Sequence, residues 1–250
     1  MWDVRQYERY RDERSRPFFD LLARVADRDF DEVVDLGCGS GELTLALSAR
    51  WPRARVTGID NSAEMLAAAR PRAVAGRVEF VEGDAASWAG AADLLFSNAT
   101  LQWVPDHDVL IPRFAKAAPV VAVQMPSNFG EPSHVLLDET AREGPWAAKL
   151  SAGWRSNSVK PLAWYVETLL GLGFDVDAWE TTYEHVLPGD NPVLEWTKGT
   201  ALRPVLKLLD EGERGAFESA YAAKLRKAYP GRNDRTVFPF KRIFFVGCRR

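Results

Sequence analysis

Glu32-Val33-Val34-Asp35-Leu36-Gly37-Cys38-Gly39-Ser40-Gly41-Glu42 decides how the chain is read. Residues 32–36 carry the branched apolar run of a buried strand, three glycines in the next five positions make a tight turn, and an apolar-periodic stretch over 42–50 predicts a helix. The same unit recurs downstream. A strand over 55–59 ends in Asp60, and Ser62 is placed to cap a helix containing Met65, Leu66 and Ala67 to Ala69. Strands at 78–81 and 93–96 end in Gly83-Asp84 and Ser97-Asn98; after a short helix near 106–117 comes a fifth strand, 120–125. Strands separated by helices of this length connect by right-handed crossovers, which makes a mostly parallel α/β sheet.

The alternation breaks at Pro126. Residues 126–161 contain Pro, Gly and Trp with two short helical patterns and no obvious strand. A helix over 162–170 stops at Gly171-Leu172-Gly173, and an alternating strand follows at 174–183. Residues 191–229 read as helices interrupted by Pro204, and a last strand, 241–248, is expected to pair as a hairpin with 174–183. The expected organisation is one domain over 1–250. Residues 1–30 form an N-terminal helical segment or lid containing Tyr7 and Tyr10, 31–125 form the ligand-binding core, and 126–161 and 186–235 form cap insertions.

The chain holds 32 Lys and Arg against 35 Asp and Glu, a net charge of −3, and 46% of it is hydrophobic. Fibrous and disordered classes are excluded. No apolar run approaches the roughly 18 residues that span a bilayer, and the Arg- and acid-rich first sixteen residues lack the apolar core of a secretion signal, so a cytoplasmic protein without a membrane partner is expected. Two cysteines, Cys38 and Cys248, make no disulfide framework, and His107, His134 and His185 fit no metal spacing. Residues 226–250 carry eight basic residues and one acid, a local +7 that leaves −10 over residues 1–225. With a pI near 5.8 and no nucleic-acid module, a small anion is the more economical partner than nucleic acid.

Ligands of open parallel α/β sheets sit outside the carboxyl ends of the strands, where the first crossover reverses. Gly37, Asp60, Asp84 and Asn98 are all at such ends. The dinucleotide fingerprint fails because its third glycine falls one residue early, at Gly41, and no Gly-Lys-Ser/Thr follows for a P-loop. Asp60 lies where a carboxylate would accept both ribose hydroxyls, although an Asp there is also a common helix cap. Asp84 is placed to accept from an adenine amine, with the Ala85 N–H meeting a ring nitrogen; a turn cap is its structural alternative.

Val33 to Gly41, then Gly58-Ile59-Asp60, Glu82-Gly83-Asp84 and Ser97-Asn98-Ala99, resemble the successive motifs of class I S-adenosylmethionine-dependent methyltransferases. The resemblance implies a Rossmann-like, seven-stranded, mostly parallel sheet with an antiparallel C-terminal hairpin and helices on both faces. It implies S-adenosyl-L-methionine as cofactor and S-adenosyl-L-homocysteine as product. It further implies that Gly37, Gly39 and Gly41 meet the methionine and ribose portion, that Asp60 with Asn61 and Met65 holds the ribose side, and that Asp84 and Ala85 meet adenine. Asp35, Asn98 and Arg16 complete the implied cofactor set, Asp35 by ordering the turn or reaching the methionine amine indirectly. A narrower match includes Glu13 to Pro17, Asn98 to His107, Ala122 to Asn128, Glu131 to His134, Trp179 to His185 and Gly199 to Pro204. Over these segments the chain is similar to the trans-aconitate 2-methyltransferases, which esterify one carboxylate of trans-aconitate. Ser40 departs from the proline expected in that family's turn, and Thr140 to Pro161 matches least.

Methyl transfer from a sulfonium is an in-line displacement, for which the protein supplies alignment and a water-poor site; no catalytic base and no metal is expected. A carboxylate acceptor needs counter-charge and donors, best from Arg. The candidates are Arg16, Arg203 and Arg242, raised by their place in the matched motifs, with Arg14 and Arg155 behind them; Arg16 could equally hold the cofactor's own carboxylate. The donors are Tyr10, Gln102, Gln124, Asn128, His134 and Tyr183, with Trp103 as a wall. Two alternatives stay open: a class I methyltransferase for a phenol, amine or other acid, and a cofactor-binding protein without catalysis.

Overall fold

The computed structural model describes residues 11–151 and 158–250. Tyr7, Tyr10 and Arg155 lie outside the described residues, as does the side chain of Arg14. Seven strands form one sheet: β1 (Glu32–Leu36), β2 (Arg55–Asp60), β3 (Val78–Glu82), β4 (Leu94–Asn98), β5 (Val120–Pro126), β6 (Phe174–Pro188) and β7 (Arg235–Arg249), in the order β3-β2-β1-β4-β5-β7-β6. β1 to β5 are parallel, while β7 runs antiparallel between β5 and β6. The chain leaves β1 in one direction for β2 and returns on its other side as β4. The ends of β1 and β4 therefore flank the crevice where such sheets bind ligands.

β1, β4 and β5 are buried on both faces, which is why their sequences are continuous runs of Val, Leu, Phe and Ala. On one face, α4 (His107–Ala117) and α7 (Leu162–Gly171) cover the sheet with Leu110, Ile111, Phe114, Tyr165 and Leu169. The opposite face is covered by α1 (Arg11–Leu22), α2 (Glu42–Arg50) and α3 (Ala63–Ala69) through Phe18, Leu21, Leu47 and Leu66. Ser62 caps α3 as its sequence predicts, its Oγ accepting from Met65 N at 3.3 Å.

Two expectations need correction. The C-terminal hairpin is longer than the strands 174–183 and 241–248 suggest: β6 and β7 are 15 residues each and pair from Phe174↔Arg249 to Pro188↔Arg235. In β7, burial alternates from Arg235 to Lys241 and is then continuous from Arg242 to Gly247. Arg242, paired with Pro126 at the last position of β5, thus marks where the hairpin leaves the two-sided sheet. Nor does Pro204 break a helix. It sits in the first turn of α9 (Leu202–Leu208), where an N–H has no helical partner to lose; the break from α8 (Pro192–Lys198) falls at residues 199–201.

The projecting hairpin carries its own apolar cluster. Leu187, Phe238 and Phe240 pack against α5 (Pro132–Glu143), α6 (Ala147–Ser151), α8, α9 and α10 (Glu211–Ala228). Asp210 and Glu213 form a reciprocal capping box at the start of α10.

Candidate active site

At the carboxyl end of β1 the turn is held from two directions. Gly37 N and Cys38 N donate to Ile59 O at 2.7 and 3.0 Å, and Gly39 N donates to Asp60 Oδ2 at 2.9 Å. Gly37 and Gly41 both have left-handed φ, and a Cβ on either would collide, with the Thr100 hydroxyl at 1.9 Å or the Phe80 ring at 2.5 Å. Gly39 also has positive φ, but a Cβ there would meet nothing within 4 Å: it faces open space. Packing requires the outer two glycines, and the middle one presents bare backbone to the crevice.

Asp60 spends one interaction from each oxygen on this frame, Oδ2 to Gly39 N and Oδ1 to Ser62 N at 2.9 Å. Each carboxylate oxygen has a second lone pair, so the cradle retains acceptors for a ribose diol. Asn61 is exposed beside it, and Met65 is buried at the start of α3. Asp35 is buried and accepts from Thr44 Oγ1 at 2.7 Å, tying β1 to the first turn of α2. Burial raises its pKa to about 6, against the Thr44 bond and with a smaller push from Asp60. Asp84 Oδ1 accepts from Ala86 N at 2.8 Å, ordering the loop that carries buried Ala85.

Four side chains of this region escaped the sequence reading. Arg113 of α4 reaches across to the carbonyls of Ala85 and Ala86, at 3.1 and 2.5 Å. Thr44, Thr100 and Phe80 shape the turn. Thr44 left a signal in the sequence, a polar residue three before Leu47 at helical spacing on what becomes the buried face of α2; Arg113 left none, because its partners lie 27 and 28 residues away.

Beyond β4 the donors expected for an acceptor fall into distinct groups. Arg242 is only 3% exposed, lies 4.8 Å over the Phe240 ring and donates from Nη1 to Gln124 Oε1 at 2.9 Å. Gln124 Nε2 donates to Asn98 Oδ1 at 2.6 Å. Gln124 is therefore corrected as a substrate donor: it is fully buried and both ends of its amide are engaged within the protein. Tyr183 is corrected likewise, since its hydroxyl donates to Asp20 at 2.5 Å, while Arg16 stacks over its ring at 5.1 Å. Gln102 Nε2 turns back to Ala99 O at 2.6 Å, leaving Oε1 buried without a partner among the described residues, and Trp103 follows it half-buried. Both amide atoms of Asn128, after β5, are buried and have no partner among the described residues. His134, at the start of α5, lies against Phe129 and 3.3 Å from Ser133 Oγ; burial lowers its pKa to about 4, so it is neutral at pH 7. Arg203 lies in the first turn of α9, among the helices that pack on the projecting hairpin.

The other histidines are packed. His107 is fully buried between Tyr165 OH at 2.5 Å and Leu101 O at 3.0 Å, and burial lowers its pKa. His185 stacks on Trp196 at 4.8 Å.

Residues 33–118 match a methyltransferase domain family, from β1 to just past the end of α4. Over nearly its whole length the chain is 48% identical to a trans-aconitate 2-methyltransferase of Streptomyces avermitilis, covering 98% of this chain and 96% of that one. It is 46% identical to a trans-aconitate 2-methyltransferase of Azoarcus sp., covering 99% of both. The chain belongs to the trans-aconitate 2-methyltransferase family. Among solved structures, magnesium protoporphyrin IX methyltransferase from Synechocystis, with S-adenosylhomocysteine bound, superposes with a TM-score of 0.55 at 15% identity, covering all of this chain and 89% of that one. At that distance the likeness is one of fold. The general domain match stops at residue 118, while likeness to the trans-aconitate 2-methyltransferases extends beyond it to Arg242 and the helices packed on the hairpin.

Proposed function

We propose that this protein transfers a methyl group from S-adenosylmethionine to one carboxylate of trans-aconitate, releasing a methyl ester and S-adenosylhomocysteine. The observation that carries the reading is a buried arginine, Arg242, at the carboxyl edge of a sheet whose first turn presents bare glycine backbone. It is supported by the near full-length likeness to enzymes of that name. The residues fit the cofactor. Gly39 backbone and the spare lone pairs of Asp60 suit a ribose-methionine portion, and the loop at Asp84 and Ala85 suits adenine.

S-adenosylmethionine, when bound, supplies a methyl group already activated as a sulfonium. The chain's own residues align and desolvate. A carboxylate with an ordinary pKa of about 4 is ionised at pH 7 and needs no base, which agrees with the packed environments of His107 and His185. Arg242 supplies counter-charge for the polycarboxylate, and the amide of Asn128, which has no partner among the described residues, supplies donors around it with neutral His134. Arg16, Arg203, Gln102 and Trp103 belong to the same reading as rim and wall. It has a small anion as the partner, and the cytoplasm as the location.

Labelled S-adenosylmethionine with trans-aconitate is expected to give an alkali-labile methyl ester of the acid's mass plus one methylene. Absence of such an ester with trans-aconitate would refute the acceptor, and a steep rate rise through pH 7 with a phenol or amine would transfer the reading to a base-dependent reaction.

A further inference from the structure

Three side chains at the carboxyl edge form a line whose hydrogen-bond polarity runs one way. Arg242 Nη1 donates to Gln124 Oε1 at 2.9 Å, and Gln124 Nε2 donates to Asn98 Oδ1 at 2.6 Å. A guanidinium has donors only, so Gln124 must turn its oxygen toward Arg242 and its NH2 toward Asn98. Asn98 must then offer its own oxygen, and its NH2 points away from Gln124. Gln124 is fully buried, so water does not compete for either end of its amide. Asn98 is half-buried at the end of β4, beside the glycine turn, where Thr100 Oγ1 lies 3.2 Å from Asn98 O and 3.4 Å from Gly37 O.

We propose that Gln124 is a positioning residue: it passes the donor-only character of Arg242 to Asn98, so that Asn98 presents N–H donors and not a carbonyl to a carboxylate bound at the crevice. The inference rests on the functional reading above, in which carboxylates of two ligands come to this edge: that of the homocysteine portion of the cofactor and those of the acceptor. A reversed amide would set a carbonyl dipole against the anion, in a site where fixed dipoles are poorly screened. A glutamine at 124 serves this role and a glutamate does not. Glutamate would still accept from Arg242, but its second oxygen would also accept, and would draw the Asn98 NH2 toward itself.

The test is Gln124→Glu, alone and in an Asn98→Ala background, read by calorimetric binding of S-adenosylhomocysteine and of 5′-methylthioadenosine, which lacks the amino-acid carboxylate, and by KM for trans-aconitate. The single variant is expected to fold with unchanged or raised Tm, because Arg242 gains an anion. If the cofactor's carboxylate meets Asn98, Kd for S-adenosylhomocysteine rises tenfold or more while Kd for 5′-methylthioadenosine holds. If the acceptor's does, KM for trans-aconitate rises tenfold or more with Kd for S-adenosylhomocysteine unchanged. Because a glutamate also offsets the Arg242 charge that serves the acceptor, the KM arm is decided by the neutral Gln124→Met: in the Asn98→Ala background Gln124→Glu should add less than twofold to Kd for S-adenosylhomocysteine and Gln124→Met less than twofold to KM for trans-aconitate; a loss that persists there is not relayed through Asn98 and overturns the proposal, as does an unaltered Kd and KM in the single variants. Should the wild-type protein make no ester of trans-aconitate, the functional reading falls, and the pair of nucleoside measurements alone decides this one. Gln124→Met, neutral and unable to orient Asn98, is expected to lie between wild type and Gln124→Glu.

Discussion

At the residue scale, two buried titratable groups pull the stability of the ligand-free protein in opposite directions with pH. Asp35 has a folded pKa of about 6, above its ordinary value, so the folded state holds a proton there that the unfolded chain has released; this contribution is present at low pH and lost as pH rises through 6. His134 has a folded pKa of about 4, below its ordinary value, so its contribution is present above about 6.5 and lost as pH falls toward 4. Two units amount to about 3 kcal/mol for Asp35, and about 2 kcal/mol is expected for His134, which keeps some solvent contact. Between pH 6 and 4 the two largely offset each other. Urea unfolding should show Asp35→Asn losing stability from pH 6.5 to 4.5 relative to wild type, and His134→Gln gaining it; parallel profiles for all three proteins would overturn the assignment. Such pairings are where sequence is least informative. Asp35 is visible as an acid in a buried strand, but that Thr44 answers it, or that both ends of Gln124 are engaged, depends on side chains brought together across the sheet.

At the scale of elements, motif spacing was a good guide and boundaries were poorer. The glycine turn, the acid ending β2 and the cap of α3 depend on neighbours within a few residues, and each sits where its local chemistry requires. The length of the β6–β7 hairpin was not legible, because strand pairing past Tyr183 is sustained by the helices that cover Leu187, Phe238 and Phe240. Arg113 makes the corresponding point for α4. It joins that helix to the loop of Ala85 and Ala86, and with a charged donor contributing about 1.5 kcal/mol, Arg113→Met should weaken S-adenosylhomocysteine and 5′-methylthioadenosine alike by roughly tenfold. A loss confined to S-adenosylhomocysteine would show that the clamp does not serve the adenine loop. Its effect on KM for trans-aconitate should be under twofold.

At the scale of the molecule, three apolar clusters divide the work: two sandwich the sheet, and the third joins the projecting hairpin to α5, α6 and α8 to α10. A cluster attached through one hairpin and its flanking segments is expected to open at lower free energy than the parallel sheet. Phe217, fully buried and edge-on to Trp146 at 5.0 Å, is a direct probe. Phe217→Ala removes about 3 to 5 kcal/mol of packing. Amides of α10 should then lose hydrogen-exchange protection while those of β1 and β4 keep theirs, and KM for trans-aconitate should rise with Kd for S-adenosylhomocysteine within twofold; uniform loss over all three elements would mean that cap and sheet unfold as one unit. By itself the sequence determined a mostly parallel α/β sheet and the turn that faces the crevice, because hydrophobic period, glycine and capping residues act over a few positions and crossovers of helix length impose parallel strands; the order of the strands came from the structure. Only the tertiary structure decided that Arg242, one of eight basic residues near the C-terminus, is the buried one, and that Gln124 stands between it and Asn98. The reason is physical: antiparallel pairing sets Arg242 against Pro126 across more than a hundred residues, and no local preference encodes a hydrogen bond of that range.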